Sequence, residues 1–137
     1  MARIRTVKPE FWTDVKTGTL SSQAKCLFLG LLNQADDYGV LEFAPDEWRV
    51  KIFPYHSRST TEAVICPLVD EILPSAIAIM FFVQSTPTEP AKQYLFIVNF
   101  NRHQGINNPS RPLIQGWEKG DTPETYAKKT GADHAWL

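Results

Sequence analysis

The sequence predicts an α+β fold in which a helical first half is followed by an antiparallel β-hairpin. Three observations carry that expectation. Residues 22–35 space their apolar side chains at helical intervals. Two apolar runs, AIAIMFFV at 76–83 and YLFIV at 94–98, flank the polar, proline-bearing loop STPTEPAK. A chain of 137 residues with 43% hydrophobic and 12% aromatic content suffices for one packed domain and is short for two. Formal net charge is −1, from 14 Lys and Arg against 15 Asp and Glu. Any grip on nucleic acid must therefore come from local clustering of cations, not from a basic excess.

The elements follow in order. In SSQAKCLFLGLLNQADDYG, Ser21 or Ser22 can cap a helix whose inner stripe is Ala24, Leu27, Phe28, Leu31, Leu32 and Ala35. Cys26 falls within this apolar pattern and is expected to be a buried thiol. Gly39 ends the segment, and Asp36 and Asp37 read as part of the turn rather than as metal ligands, because no further carboxylates stand at a ligand-like spacing. VLEF is then a short strand. In APDEWRVKIF, Pro45 suits the first helical position, Asp46 and Glu47 the positive end, and Arg49 and Lys51 the negative end; Trp48 and Ile52 share a face and Pro54 stops the helix. A third helix is expected from Thr60 or Thr61 to about Leu73, with Ala63, Val64, Pro67, Leu68 and Ile72 inward. Pro67 should kink it or make it restart. After the hairpin the composition turns rich in Pro, Gly and Asn, with a short helix expected at 123–129. That division gives a domain at 1–112 with an N-terminal arm, and a C-terminal tail at 113–137 laid over it through Ile106, Leu113, Ile114 and Trp117.

Helix, short strand, helix, helix and hairpin is the order of a winged helix-turn-helix, with the third helix as the candidate recognition helix and the hairpin tip as the wing. The stretches ARIRTVKPEFWTD, LSSQAKCLFLGLLNQADDYGVL, VKIFPY and VNFNRHQGINNPSRP occur in sequence over residues 2–112. Together they resemble the N-terminal winged-helix domains of phage and prophage replication proteins of the replisome-organiser or helicase-loader type. The resemblance implies binding of origin DNA, with a separate C-terminal region handling the replicative helicase. At 137 residues the chain leaves no room for such a region, so helicase handling is not expected here.

The candidate nucleic-acid-binding residues are Arg3, Arg5 and Lys8 near the start and Arg102, His103 and Arg111 after the last strand. If the two groups converge they form one patch, and neutralising about four to five phosphates would give a salt slope near −4 in log K against log salt. Phe11 and Trp12, after the extended Lys8-Pro9 entry, are expected to dock on the core, with base stacking by an exposed Trp12 as the less favoured alternative. The third helix offers Glu62, Asp70 and Glu71 and no Lys or Arg, and the wing adds only Lys92 beside Glu89. Such a helix reads bases poorly. Its acids suit instead a protein-binding role, an inhibitor of a host nucleic-acid machine such as a CRISPR effector or the replication apparatus, built on a repurposed fold. Catalysis is not expected. Asn99, Asn101, Arg102 and His103 lack the acidic ligands or second histidine of a nuclease, and no glycine-rich phosphate loop is present. Cys26 and Cys66 make no metal spacing with each other or with His56, His103 and His134, so neither metal nor cofactor is expected. With no secretory signal and no apolar run of membrane length, the expected location is the cytoplasm of a bacterial host.

Overall fold

A computed structural model of the chain describes residues 3–55, 64–84, 86–106 and 109–130, and the backbone of 135–136. It is a mixed α+β structure that divides into two compact units. One spans Met1–Gln34 and Ala44–Ile77, the other Ala35–Phe43 and Ala78–Leu137.

The first unit is helical: α1 (Glu10–Thr13), α2 (Val15–Gly18), α3 (Ser22–Gln34), α4 (Pro45–Ile52) and α5 (Cys66–Ile72), with a 3-10 turn at Leu73–Ser75. The expected stripe of α3 is inward, with Ala24, Leu27, Phe28, Leu31 and Leu32 all buried. The Ser21 hydroxyl caps it, accepting the Ala24 N–H at 3.2 Å. Helices α4 and α5 both pack on α3. Gly30 lets α4 approach, since a Cβ there would lie 2.6 Å from Ile52 Cδ1. Trp48 from α4 and Leu68, Val69 and Ile72 from α5 fill the interior.

Four expectations are corrected in this unit. Cys26 is exposed: at about 100° per residue it points some 100° from Leu27 and 200° from Ala24 and Phe28. Pro67, expected inward, is exposed; α5 begins one residue before it, after a turn of π type at 64–65, which agrees with the expected restart. The expected start of that helix at Thr60 or Thr61, and Ala63, lie outside the described residues. The entry past Pro9 is not extended but folds into α1 and α2, the latter capped by Asp14, which accepts the Lys16 N–H at 2.8 Å. Only Phe11 docks there, stacked on Phe28 with ring centroids 5.9 Å apart, while Trp12 is 55% exposed and touches Phe11 edge-on. Trp12, one residue on, points about 100° away from Phe11 around the helical turn.

The second unit carries β1 (Val40–Glu42), β2 (Ala78–Val83), β3 (Lys92–Ile97), α6 (Phe100–His103), α7 (Pro123–Thr130) and the two-residue β4 (Ala135–Trp136). The sheet is antiparallel throughout in the order β1-β3-β2-β4, with Val40 opposite Phe96 and Phe81 opposite Tyr94. The run expected as one strand from residue 76 starts two residues later, because Ala76 is left-handed at φ 59°. Val40, Phe81, Val83, Phe96, Ile114, Trp117 and Tyr126 form the apolar core. Ile114 and Trp117 anchor the C-terminal segment as expected, but Leu113 is 49% exposed. Its place is taken by Tyr126 from α7, stacked on Trp117 at 5.0 Å and donating its hydroxyl to Gln115 O at 2.9 Å. No helix among the described residues is long and apolar enough to cross a membrane.

Candidate nucleic-acid interface

Arg3 and Arg5 lie along the end of α3. Arg3 N donates to Asn33 O at 2.9 Å, and Asn33 Nδ2 returns a bond to Arg3 O at 2.6 Å. Arg5 Nε donates to Leu32 O at 3.0 Å. Both acceptor carbonyls belong to the last turn of α3, where no intrahelical N–H reaches them, and a guanidinium at that negative helix end is favourable. Arg5 is therefore a structural cap as well as a charge. Arg3 is half-buried and Lys8 exposed. Arg3 also borders an open groove of about 510 Å³ with Ile4, Asn33, Gln34, Lys51 and Ile52. Lys51 sits 3.7 Å from Glu47 in an exposed pair that contributes little.

The acidic residues of the third helix separate. Asp70 is exposed on α5. Glu71 is not a free surface acid: Oε1 accepts the Ser21 N–H and Oε2 accepts the Ser21 hydroxyl at 2.8 Å. It fixes the start of α3 and places a negative charge at the positive end of that helix. Glu71 is thereby withdrawn from the expected protein-binding set. Its partner is 50 residues away, and no local pattern announces such a bond. Glu62 lies outside the described residues.

The exit from β3 is built differently. Val98 and Asn99 turn the chain, with Asn99 left-handed at φ 60°, and α6 follows. Phe100 is buried at 2% exposure, while Arg102 and His103 are exposed. Phe100 lies against Gly39, which has φ 86° and where a Cβ would come within 2.6 Å of Phe100 Cβ. Gly39 O accepts the Ile97 N–H at 2.8 Å.

The Asp pair just before that glycine performs the turn-closing role read from sequence: Asp36 Oδ1 accepts the N–H groups of Tyr38 and Val40, each at 2.9 Å. It also does something the sequence did not reveal. Asp36 Oδ2 accepts Leu113 N at 2.9 Å, and Asp37 Oδ2 accepts Ser110 N at 2.9 Å and Ser110 Oγ at 3.0 Å. Burial pushes the Asp36 carboxyl above its ordinary value, opposed by the N–H groups of Leu113, Val40 and Tyr38; the neighbouring charge of Asp37 adds to the rise. Arg111, exposed, stands between the two clamped residues.

A scan against models of protein families finds no match, and searches of the curated proteins and of the solved structures find none either.

Arg3, Arg5 and Lys8 thus belong to the helical unit, and Arg102, His103 and Arg111 to the sheet unit. Trp12 was expected in the core, with base stacking the less favoured reading, and is exposed, as are Ile4, Val7 and Val15. Sequence reasoning missed the anchors of the second group. Asp36 and Asp37 hold the Arg111 segment. Among the described residues no group of three or more His, Cys, Asp or Glu side chains could hold a metal.

Proposed function

We propose that this chain is a non-catalytic nucleic-acid-binding module with winged helix-turn-helix organisation, acting in phage-type replication initiation or its regulation. The order α3, β1, α4, α5, β2, β3, with β1 paired on β3, supports the winged-helix part. The resemblance of the arm, the α3 stretch and the exit segment to phage replication domains supports the biological setting.

The observation that carries the reading is where the cations are. Helix α5 has none, while Lys8, Arg102, His103 and Arg111 are exposed on the segments that precede and follow the core elements. Such an arrangement grips phosphate without reading bases. Exposed Trp12 supplies a surface on which a base can stack. Binding is therefore expected to be sequence-tolerant, salt-sensitive and stronger for single strands than for duplex.

The test is fluorescence anisotropy of labelled single-stranded and duplex DNA at about 50 and about 200 mM salt. Binding at the lower salt that weakens by roughly tenfold or more at the higher supports the proposal. Absence of binding to either form at the lower salt sinks it. The alternative, capture of a host protein such as a CRISPR effector or a replication factor, rests on the exposed Asp70 of a cation-free α5. Its check is co-purification from host lysate with wild type and Asp70→Lys, a specific partner lost in the variant being the outcome in its favour.

A further inference from the structure

The four-residue turn at 36–39 is bound to both cation-bearing pieces of the exit segment. Through Gly39 it seats Phe100, the buried residue of α6, a single turn that also carries the exposed Arg102 and His103. Through Asp37 and Asp36 it fixes Ser110 and Leu113, the residues on either side of Arg111-Pro112. The local sequence tightens this hold. Pro112 restricts Arg111, the residue before it, to extended backbone, and Pro109 locks its own φ just before Ser110.

The charges of the turn are also spent inward. Asp37 is 7% exposed with both its described bonds on Ser110, and Asp36 accepts three backbone N–H groups. One buried and one half-buried carboxylate satisfied in this way hold the segment while offering little repulsion to a polyanion. A long arginine side chain loses rotamer freedom on binding, and presetting its backbone lowers the cost of ordering it.

We propose that the turn is a positioning device that presents Arg111 to a nucleic-acid phosphate, with Asp36 and Asp37 acting on binding through Arg111 and never touching the nucleic acid themselves. This rests on the nucleic-acid-binding reading above. The positioning residues make a prediction that a purely structural role does not: their loss matters to binding only while Arg111 is present.

The experiment is a double-mutant cycle on the full chain, read by anisotropy with a labelled single strand of about 20 nucleotides over a salt series. Arg111→Ala is expected to weaken binding about three- to tenfold and to reduce the salt slope by about 0.7, while Arg111→Lys keeps the slope. Asp37→Ala should weaken binding by a similar factor. Asp37→Asn should restore it, since one amide oxygen can accept both Ser110 bonds. In the Arg111→Ala background, Asp37→Ala should weaken binding no further. Thermal melting followed by tryptophan fluorescence identifies any variant that has unfolded; if Asp37→Ala has, Ser110→Ala, which removes only the hydroxyl bond to Asp37, takes its place in both Arg111 backgrounds. If wild type binds with the expected slope but Arg111→Ala changes nothing, or if Asp37→Ala weakens binding equally in both backgrounds, the positioning role is wrong and the binding module stands. If wild type does not bind at all, both fall.

Discussion

The arm at residues 3–8 and the exit segment at 98–113 look alike in sequence, each a short basic stretch beside the core, yet the molecule uses their cations in opposite ways. In the arm a charged side chain is itself a structural element: Arg5 caps the last turn of α3 through Leu32 O. In the exit segment neutral groups supply anchors, namely the Phe100 ring, the Ser110 N–H and hydroxyl and the Leu113 N–H. Its cations Arg102 and Arg111 are exposed. A basic residue in sequence is therefore not yet a phosphate contact. What decides is whether the backbone around it is held by something else.

This contrast can be broken at its strongest point by Phe100→Ala. The side chain is fully buried, so its loss should cost about 3–5 kcal/mol, measured by urea unfolding, and should disorder α6 by amide hydrogen exchange while Arg5 still caps α3. Gly39→Ala should come next, at about 2–4 kcal/mol, because a Cβ at φ 86° is strained and also meets Phe100. Insertion of alanine there without a fall in melting temperature would mean that Phe100 is not seated on this glycine.

Glu71→Ala sharpens the comparison on the acidic side. Breaking the two bonds to Ser21 should destabilise by about 1–2 kcal/mol, whereas Asp70→Ala, at an exposed site, should stay within about 0.5 kcal/mol. Equal effects of the two in thermal melts would remove the distinction between a structural and a surface acid. In the arm, Arg5→Ala should cost about 1 kcal/mol of stability, and Lys8→Ala almost none. The smallest effect belongs to Cys26→Ser, about zero on stability, because the thiol is exposed; rapid labelling of Cys26 in the folded protein by a thiol reagent is the companion observation.

The parts of the fold that were legible in the sequence are those fixed by local pattern. Helix α3 declares itself through a thirteen-residue run with one apolar face, α4 through its proline start and charge polarity, and the hairpin through two apolar runs around a polar loop. Helix α7, expected at 123–129, is found at Pro123–Thr130. Helices α1, α2 and α6 were not, since four residues make barely one turn and display no period.

Cys26 and Trp12 were misplaced because apolar character is a weaker guide than angular position on a helix. At the candidate site, the residue types were visible but their anchors were not. The bonds from Asp37 to Ser110 and from Asp36 to Leu113 join residues 73 and 77 apart. Nothing in either stretch alone tells a closing turn from a clamp. Tyr126 was missed for a related reason: its burial depends on Trp117 and Gln115, which reach it only once the segment after Pro112 has folded back.

The most direct test of the nucleic-acid-binding account is a salt titration of single-strand affinity for three proteins, namely wild type, the exit variant Arg102→Ala with Arg111→Ala, and Arg5→Ala. The account predicts a linear fall of log K with log salt for wild type, a slope shallower by about 1.4 in the exit variant, and a slope for Arg5→Ala close to that of wild type. A wild-type affinity indifferent to salt, or an exit variant whose slope equals that of wild type, would contradict it.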